Sequence, residues 1–340
     1  MLPVMNIENL KIRAQVIKAI RAWFDDQGFL EMHTPRMVAL PGQEPYLEPF
    51  WTNVARPSFA EATDGGQTSN VKRRVALVTS PEYAMKKLLG AGFDRIYDLG
   101  PCFRNDEPWD GSHDPEFLML EFYRRDSTIF DLMDDIESML NFVISKQRNS
   151  KFEIRNSIKK MTVEEAWREY AGVELAPLLE DREAIAKLAS KQFGQSVSSN
   201  DNWDDIYFKI FLSVIEPKIE SGDPTFLYRY PVNMAALARR SADDPRWADR
   251  VEFYAGGLEL ANGFAELSDP IEQRQRFEQE QELRRRLDKE VWDIDEELLS
   301  ALPKMGNAAG IAFGVDRLVM LICGAKSIND VIPFSASERF

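Results

Sequence analysis

The sequence predicts an α+β fold in which helices flank a mainly antiparallel sheet. Segments of helical period alternate with short runs rich in β-branched and aromatic residues. Several of those runs follow one another across a tight turn, as in VEFYAGGLELANGF, which is how antiparallel strands connect. With 340 residues, 44% of them hydrophobic, the chain can bury a large core. It reads as a single domain, 1–340, with a helical insertion at about 150–222.

The elements follow in order. Ile12, Val16, Ile20 and Trp23 recur at helical spacing and predict an amphipathic helix over about 8–26, ended by Gly28. FLEMHTP reads as a short strand stopped at Pro35. Residues 52–74 are polar and Gly- and Ser-bearing, the pattern of a surface excursion. Strand-like VALVT, a helix from Pro81 to Leu89 and strand-like RIYDLGPCFR come next. The acidic stretch FRNDEPWDGSHDPEF leads into FLMLEFYR, and IFDLMDDIESMLNFVISK is a helix. Residues 150–222 read as helices and loops without chemical signature. TFLYRYP and VEFYAGGLELANGF are strands, about 270–289 is a charged helix, and AGIAFGVDRLVMLICG reads as strand, turn and buried helix.

Composition excludes some functions. The net charge is −14, and the densest basic clusters, Lys72-Arg73-Arg74 and Arg284-Arg285-Arg286, are short. Nucleic acids are held mainly through phosphate contacts from Lys and Arg, so stable binding of RNA or DNA, tRNA included, is not expected. No run reaches the roughly 18–20 apolar residues of a membrane span. The N-terminus lacks an export signal, and Cys102 and Cys323 sit in apolar contexts as reduced core thiols, so a cytoplasmic protein is expected.

Three elements carry chemistry. In FLMLEFYR, Leu118, Leu120 and Phe122 share one face and point to the core, whereas Phe117, Met119, Glu121 and Tyr123 share the other. That second face suits a pocket floor, with Phe117 to stack and Glu121 to meet a cation; a solvent-facing strand side with incidental Glu and Tyr is the competing reading. In the AGG hairpin, a turn at Ala255-Gly256 sets Glu252 opposite Glu259, a repulsion that a hard cation such as Mg²⁺ bridging to phosphates would relieve. A turn shifted by one residue removes that pairing. Asn262, Phe264 and Glu266 share a parity that Glu259 joins only across a bulge. In GIAFGVDRLVM, Gly310 and Gly314 permit close backbone approach, and Arg317 opens the next helix.

Together these elements resemble the catalytic core of class II aminoacyl-tRNA synthetases in its lysyl form. FLEMHTP is similar to motif 1, GPCFRND through FLMLEFYR to motif 2, and GIAFGVDR to motif 3; TSPEYAMKKLL and GGLELANGFAELSDPIEQRQRF resemble the lysine-site segments. The likeness spans about 8–336. Motif 1 starts near residue 8, which leaves no room for the OB-fold anticodon domain. The chain therefore most resembles the truncated paralogues that ligate lysine to elongation factor P. HDPEF is close to their HNPEF, and Ala312 replaces the middle glycine of motif 3 as it does in them.

The resemblance implies ATP and Mg²⁺ as cofactors and a homodimer. It implies Arg104 on the α-phosphate, Phe117 and Arg317 sandwiching the adenine over Gly314, and His113 near the outer phosphates. Glu252 and Glu259 would carry Mg²⁺. Glu82, Glu121, Tyr123, Asn262, Phe264 and Glu266 would line the lysine site, with Ala312 shaping it for (R)-β-lysine. Motif 2 departs from the family: Asp106 stands where a Glu contacts the adenine amine, with Glu107 beside it; Asp110, Gly111 and Ser112 precede His113 where the relatives carry an Arg. Weak ATP affinity follows. The expected function is lysine activation and transfer to elongation factor P. The alternatives are another acceptor (a tRNA or small amine) and a degenerate lysine- or nucleotide-binding paralogue.

Overall fold

The computed structural model describes residues 6–57, 70–155 and 157–340. Helix α1 (Ile7–Asp26) opens it, capped by the Asn6 side chain accepting from the Asn9 N–H, and buries Val16, Ile20, Trp23 and Phe24. Strands β1 (Leu30–Glu31), β2 (Met37–Val38), β3 (Trp51–Pro57) and β4 (Asn70–Leu77) follow. Strands β2, β4 and β3 form a three-stranded antiparallel sheet, so the described parts of the predicted excursion are strands; residues 58–69 lie outside the described chain. Arg74 of β4 is committed to Glu290 and stacks on Trp51 at 3.9 Å.

Helix α2 (Glu82–Gly90), β5 (Arg95–Phe103), β6 (Glu116–Arg125) and α3 (Ile129–Ser145) come next, α3 opening with a Thr128–Asp131 capping box. The insertion contains β7 (Lys159–Thr162), α4 (Val163–Ala166), α5 (Arg182–Gln192), α6 (Trp203–Ile210) and α7 (Glu216–Glu220). Then follow β8 (Thr225–Pro231), β9 (Trp247–Ala255), β10 (Leu258–Ala265), α8 (Pro270–Arg286), α9 (Glu296–Met305), β11 (Ala308–Gly314), α10 (Val315–Cys323) and a last turn, α11 (Ala336–Arg339).

The large sheet has the order β1-β5-β6-β11-β10-β9-β8-β7. Its end pairs, β1 with β5 and β7 with β8, are parallel and the interior pairs antiparallel. The parity read in FLMLEFYR holds. Leu120 and Phe122 are fully buried in one apolar core with α1, α3 and α10. Glu121 and Tyr123 face the other side, where Met85, Phe277 and Leu302 of α2, α8 and α9 cover the sheet. Each fully buried Leu or Phe contributes about 2 kcal/mol or more, which fixes the register of β6 and so the direction of Glu121.

The insertion differs from its sequence reading in one respect: β7 extends the sheet beside β8. Its four residues, KKMT, carry two lysines and give no strand pattern that a sequence window detects. A second apolar cluster around Trp167, Tyr207 and Ile210 packs on Leu227, Tyr230 and Trp247 and anchors the insertion to β8 and β9.

Candidate active site

The register of five strands aligns one row of side chains on the helix-α2 side of the sheet. Glu252 on β9 lies opposite Asn262 on β10, Asn262 opposite Ala312 on β11, Ala312 opposite Glu121 on β6, and Glu121 opposite Asp98 on β5. The next row on that face runs Arg250, Phe264, Gly310, Tyr123. Above the Glu252 end opens a cavity of about 340 Å³. Arg104, Glu107, His113 and Phe117 line it from the acidic loop and the start of β6. Glu252, Glu259 and Asn262 line it from the β9–β10 hairpin, and Ala312, Gly314 and Arg317 from β11 and α10.

Its cations differ in commitment. Arg317 donates from Nη1 to the Glu259 carbonyl at 2.7 Å and from Nη2 to His113 Nε2 at 3.1 Å. An arginine only donates, so Nε2 accepts and the ring proton sits on Nδ1, 3.1 Å from Asp110 Oδ1. Arg250 is held by Asn262 Oδ1 at 3.2 Å and Glu252 Oε1 at 2.5 Å. Arg104 has no ion-pair partner among the described residues; its guanidinium lies 5.0 Å from the Phe117 ring and its Nε is buried without an acceptor. It is the cation left open to an anion.

The sequence reading of Asp106 is corrected. Asp106 takes a positive φ of 60° and sits exposed outside the cavity, which hands the inward position to Glu107, whose Oε2 is 3.9 Å from His113 Nε2. The acidic loop is also less anionic than its sequence. Asp114, fully enclosed, accepts from Arg339 Nη2 at 2.6 Å and from the Ala336 N–H at 2.7 Å, and Glu116 accepts from Arg339 Nη1 at 2.9 Å. The Gly111 carbonyl accepts from the Ile328 N–H at 2.6 Å, so the chain's last segment clasps the loop at two points.

The predicted hairpin turn is corrected too. It lies at Gly256-Gly257, with φ of 59° and 81° that favour glycine, and pairs Glu259 with Tyr254. A bulge between Glu259 and Ala261 then brings Asn262, not Glu259, opposite Glu252. The same bulge turns the Glu259 carboxylate into the cavity beside Glu252. Glu252 accepts from Arg250, Tyr254 (2.6 Å) and Tyr230. The Glu259 carboxylate takes no hydrogen bond from a described residue, and burial, then Glu252, pushes its pKa up against the pull of Arg317, Arg250 and Arg104. Two carboxylates facing one cavity, Glu252 buried and Glu259 half-buried without donors among the described residues, fit a divalent cation that completes its shell with phosphate oxygens and water.

Glu82, Glu121, Tyr123, Phe264 and Glu266 do not line this cavity. Glu121, Tyr123 and half-buried Phe264 continue the same face past Ala312, and Glu266, just after β10, and Glu82, on α2, close over them as a second layer. Glu121 accepts from Ser80 Oγ at 2.5 Å and Tyr123 OH at 2.9 Å. Burial, then Glu82, lifts its pKa up to about 8. Glu266 is raised by burial as well, although the Lys86 ammonium lies 2.6 Å from it and 2.5 Å from Glu82. Gly310 is required here: a Cβ would sit 2.1 Å from the Tyr123 ring and 2.8 Å from Glu266 Oε1. The sequence reading missed Lys86 and Arg250. Both had a signal, since Lys86 is one helical turn from Glu82 and Arg250 shares the parity of Glu252.

No helix among the described residues is long and apolar enough to cross a membrane. Residues 4–338 match the family model of class II tRNA synthetases (D, K and N). The chain is 38% identical over 338 residues to the elongation factor P–(R)-β-lysine ligase of Photorhabdus laumondii, covering 99% of this chain and 97% of that one. It is similar, at 38% and 36% identity, to the proteins of the same name from Pectobacterium carotovorum and Proteus mirabilis, which it covers to 97% and 96%. The chain belongs to the class II tRNA synthetase family, in the branch of the elongation factor P–lysine ligases.

Proposed function

We propose that this enzyme activates lysine, as (R)-β-lysine, with ATP and transfers it to a lysine side chain of elongation factor P. One observation carries the reading: a layer of buried carboxylates, Glu82, Glu121 and Glu266, adjoins a cavity that holds an uncommitted arginine. The first suits a substrate with two ammonium groups and the second a phosphate.

ATP occupies the cavity, with its adenine between Phe117 and Arg317, Glu107 at its rim and its α-phosphate at Arg104. The substrate carboxylate attacks the α-phosphorus in line, and pyrophosphate leaves. Arg104 stabilises the charge that grows on the α-phosphate oxygens, and the enclosed carboxylates hold the substrate so that attack is effectively unimolecular. Mg²⁺, held by Glu259 and Glu252, would neutralise charge on the outer phosphates. An amine of the acceptor protein, having lost a proton, then attacks the acyl-adenylate carbonyl and AMP leaves. Asn262 and Ala312 stand between the two layers and meet the reacting end of the amino acid. The protein acts in the cytoplasm as a homodimer, and its charge of −14 disfavours a tRNA acceptor.

The test is ATP–pyrophosphate exchange with (R)-β-lysine and L-lysine in parallel, followed by transfer to purified elongation factor P. Exchange led by β-lysine and a mass gain on the acceptor are expected. No exchange from folded protein with Mg²⁺ refutes activation, and exchange without transfer refutes the acceptor.

A further inference from the structure

Lys86 is a buried cation with no role in the scheme above. Its side chain is 1% exposed, and its ammonium lies between two carboxylates, Glu82 Oε1 at 2.5 Å and Glu266 Oε2 at 2.6 Å, both on the substrate layer. Glu266 is wholly enclosed, and neither of its oxygens has an aligned hydrogen-bond donor, so Lys86 is what holds it. Glu82, Glu121 and Glu266 carry three negative charges when ionised, and Lys86 returns one positive charge. The layer then has a net charge of about −2, which matches the two ammonium groups of a lysine. Without Lys86 the layer would carry an uncompensated carboxylate, and burial would neutralise it with a proton instead of substrate.

We propose that Lys86 is a positioning and charge-setting residue of the lysine site, which spaces Glu82 and Glu266 and trims the pocket to the charge of a diammonium substrate. This rests on the lysine-activating reading. Lys86 acts through the two carboxylates and does not meet ATP, so its effect falls on the amino acid alone. The i,i+4 spacing on α2 presents Lys86 to Glu82, while Glu266 reaches it from the residue that follows β10. The substrate layer is thereby tied across two elements by one side chain.

The experiment compares Lys86→Met, Lys86→Arg and the double variant Glu82→Gln/Lys86→Met in amino-acid-dependent pyrophosphate exchange. Lys86→Met should raise the KM for lysine roughly 10- to 100-fold, the loss of a charged hydrogen-bonding partner, with the KM for ATP unchanged. Its acid limb in kcat/KM for lysine should move to higher pH. Lys86→Arg, which keeps the charge, and the double variant, which restores the count of −2, should each recover part of the loss and return the limb. If Lys86→Met does not fold, the two charge-matched variants carry the test against the parent. An unchanged lysine KM and pH profile, a parallel rise in both KM values, or no recovery in either charge-matched variant would overturn the proposal. Absence of lysine-dependent exchange in the folded parent sinks the proposed function itself, whereas exchange that ignores Lys86 sinks this inference alone.

Discussion

Lysine should bind this protein with release of a proton, and the affinity should fall as the solution is acidified. The reason is Glu121, which burial and Glu82 push to about pH 8 in the free site. An ammonium can pair with it only as the carboxylate. At pH 7 a group of pKa 8 is protonated about ten to one, so the apparent lysine affinity should drop about tenfold from pH 9 to pH 7, about 1.4 kcal/mol in all. Calorimetric titration with lysine in buffers of differing ionisation enthalpy reads both quantities: the pH slope and a release approaching one proton at pH 7. Glu121→Gln should flatten the slope. The same shift acts on folding. The native state keeps a proton that the unfolded chain gives up near its ordinary value of 4.5, so the contribution is full below that pH and is lost as pH rises through about 8. The ligand-free protein should therefore lose Tm as pH climbs from 5 to 8, and the Tm gain from lysine should grow. A pH-independent lysine affinity with no proton release would refute the assignment of Glu121 to the ammonium site.

Arg104→Ala should lower kcat for pyrophosphate exchange by about 3 to 4 kcal/mol of barrier, with the fold intact by circular dichroism. Gly310→Ala drives a methyl into Tyr123, 2.1 Å away, and should raise the KM for lysine roughly tenfold by pulling Tyr123 off Glu121 while ATP kinetics stay put. Arg339→Ala leaves buried Asp114 without its guanidinium; about 2 kcal/mol of stability and a several-fold rise in the KM for ATP are expected, read by thermal melts and exchange kinetics, with lysine binding unmoved.

Much of this was legible because the signals are local. The alternation in FLMLEFYR assigns Glu121 and Phe122 to opposite faces without knowledge of the rest of the sheet, and α1, α2, α3 and α10 follow from spacing alone. The failures come where one residue changes the frame. A turn at Gly256-Gly257 instead of Ala255-Gly256 shifts the pairing by one, and the bulge that joins Glu259 to the parity of Asn262, left open by the sequence, changes the frame again, and neither shows in composition. The positive φ at Asp106 is a similar case, since it decides which of two adjacent carboxylates faces inward. Long-range compensation is beyond any local window: nothing near Asp114 announces that its counter-charge is Arg339, 225 residues on.

That separation also sets an order of assembly. During synthesis Arg104, Asp114 and Glu116 emerge well before Arg339, so the nascent loop holds its full negative charge while the sheet behind it forms. The strands β10 and β11 that complete the floor must be made first, and the counter-charge arrives only after them. A chain folded only through α10 would hold Asp114 and Glu116 without the Arg339 guanidinium. The loop's charge is thus balanced only once Arg339 has emerged, and a ribosome-bound intermediate that lacks it should bind nucleotide several-fold more weakly than the chain that carries it.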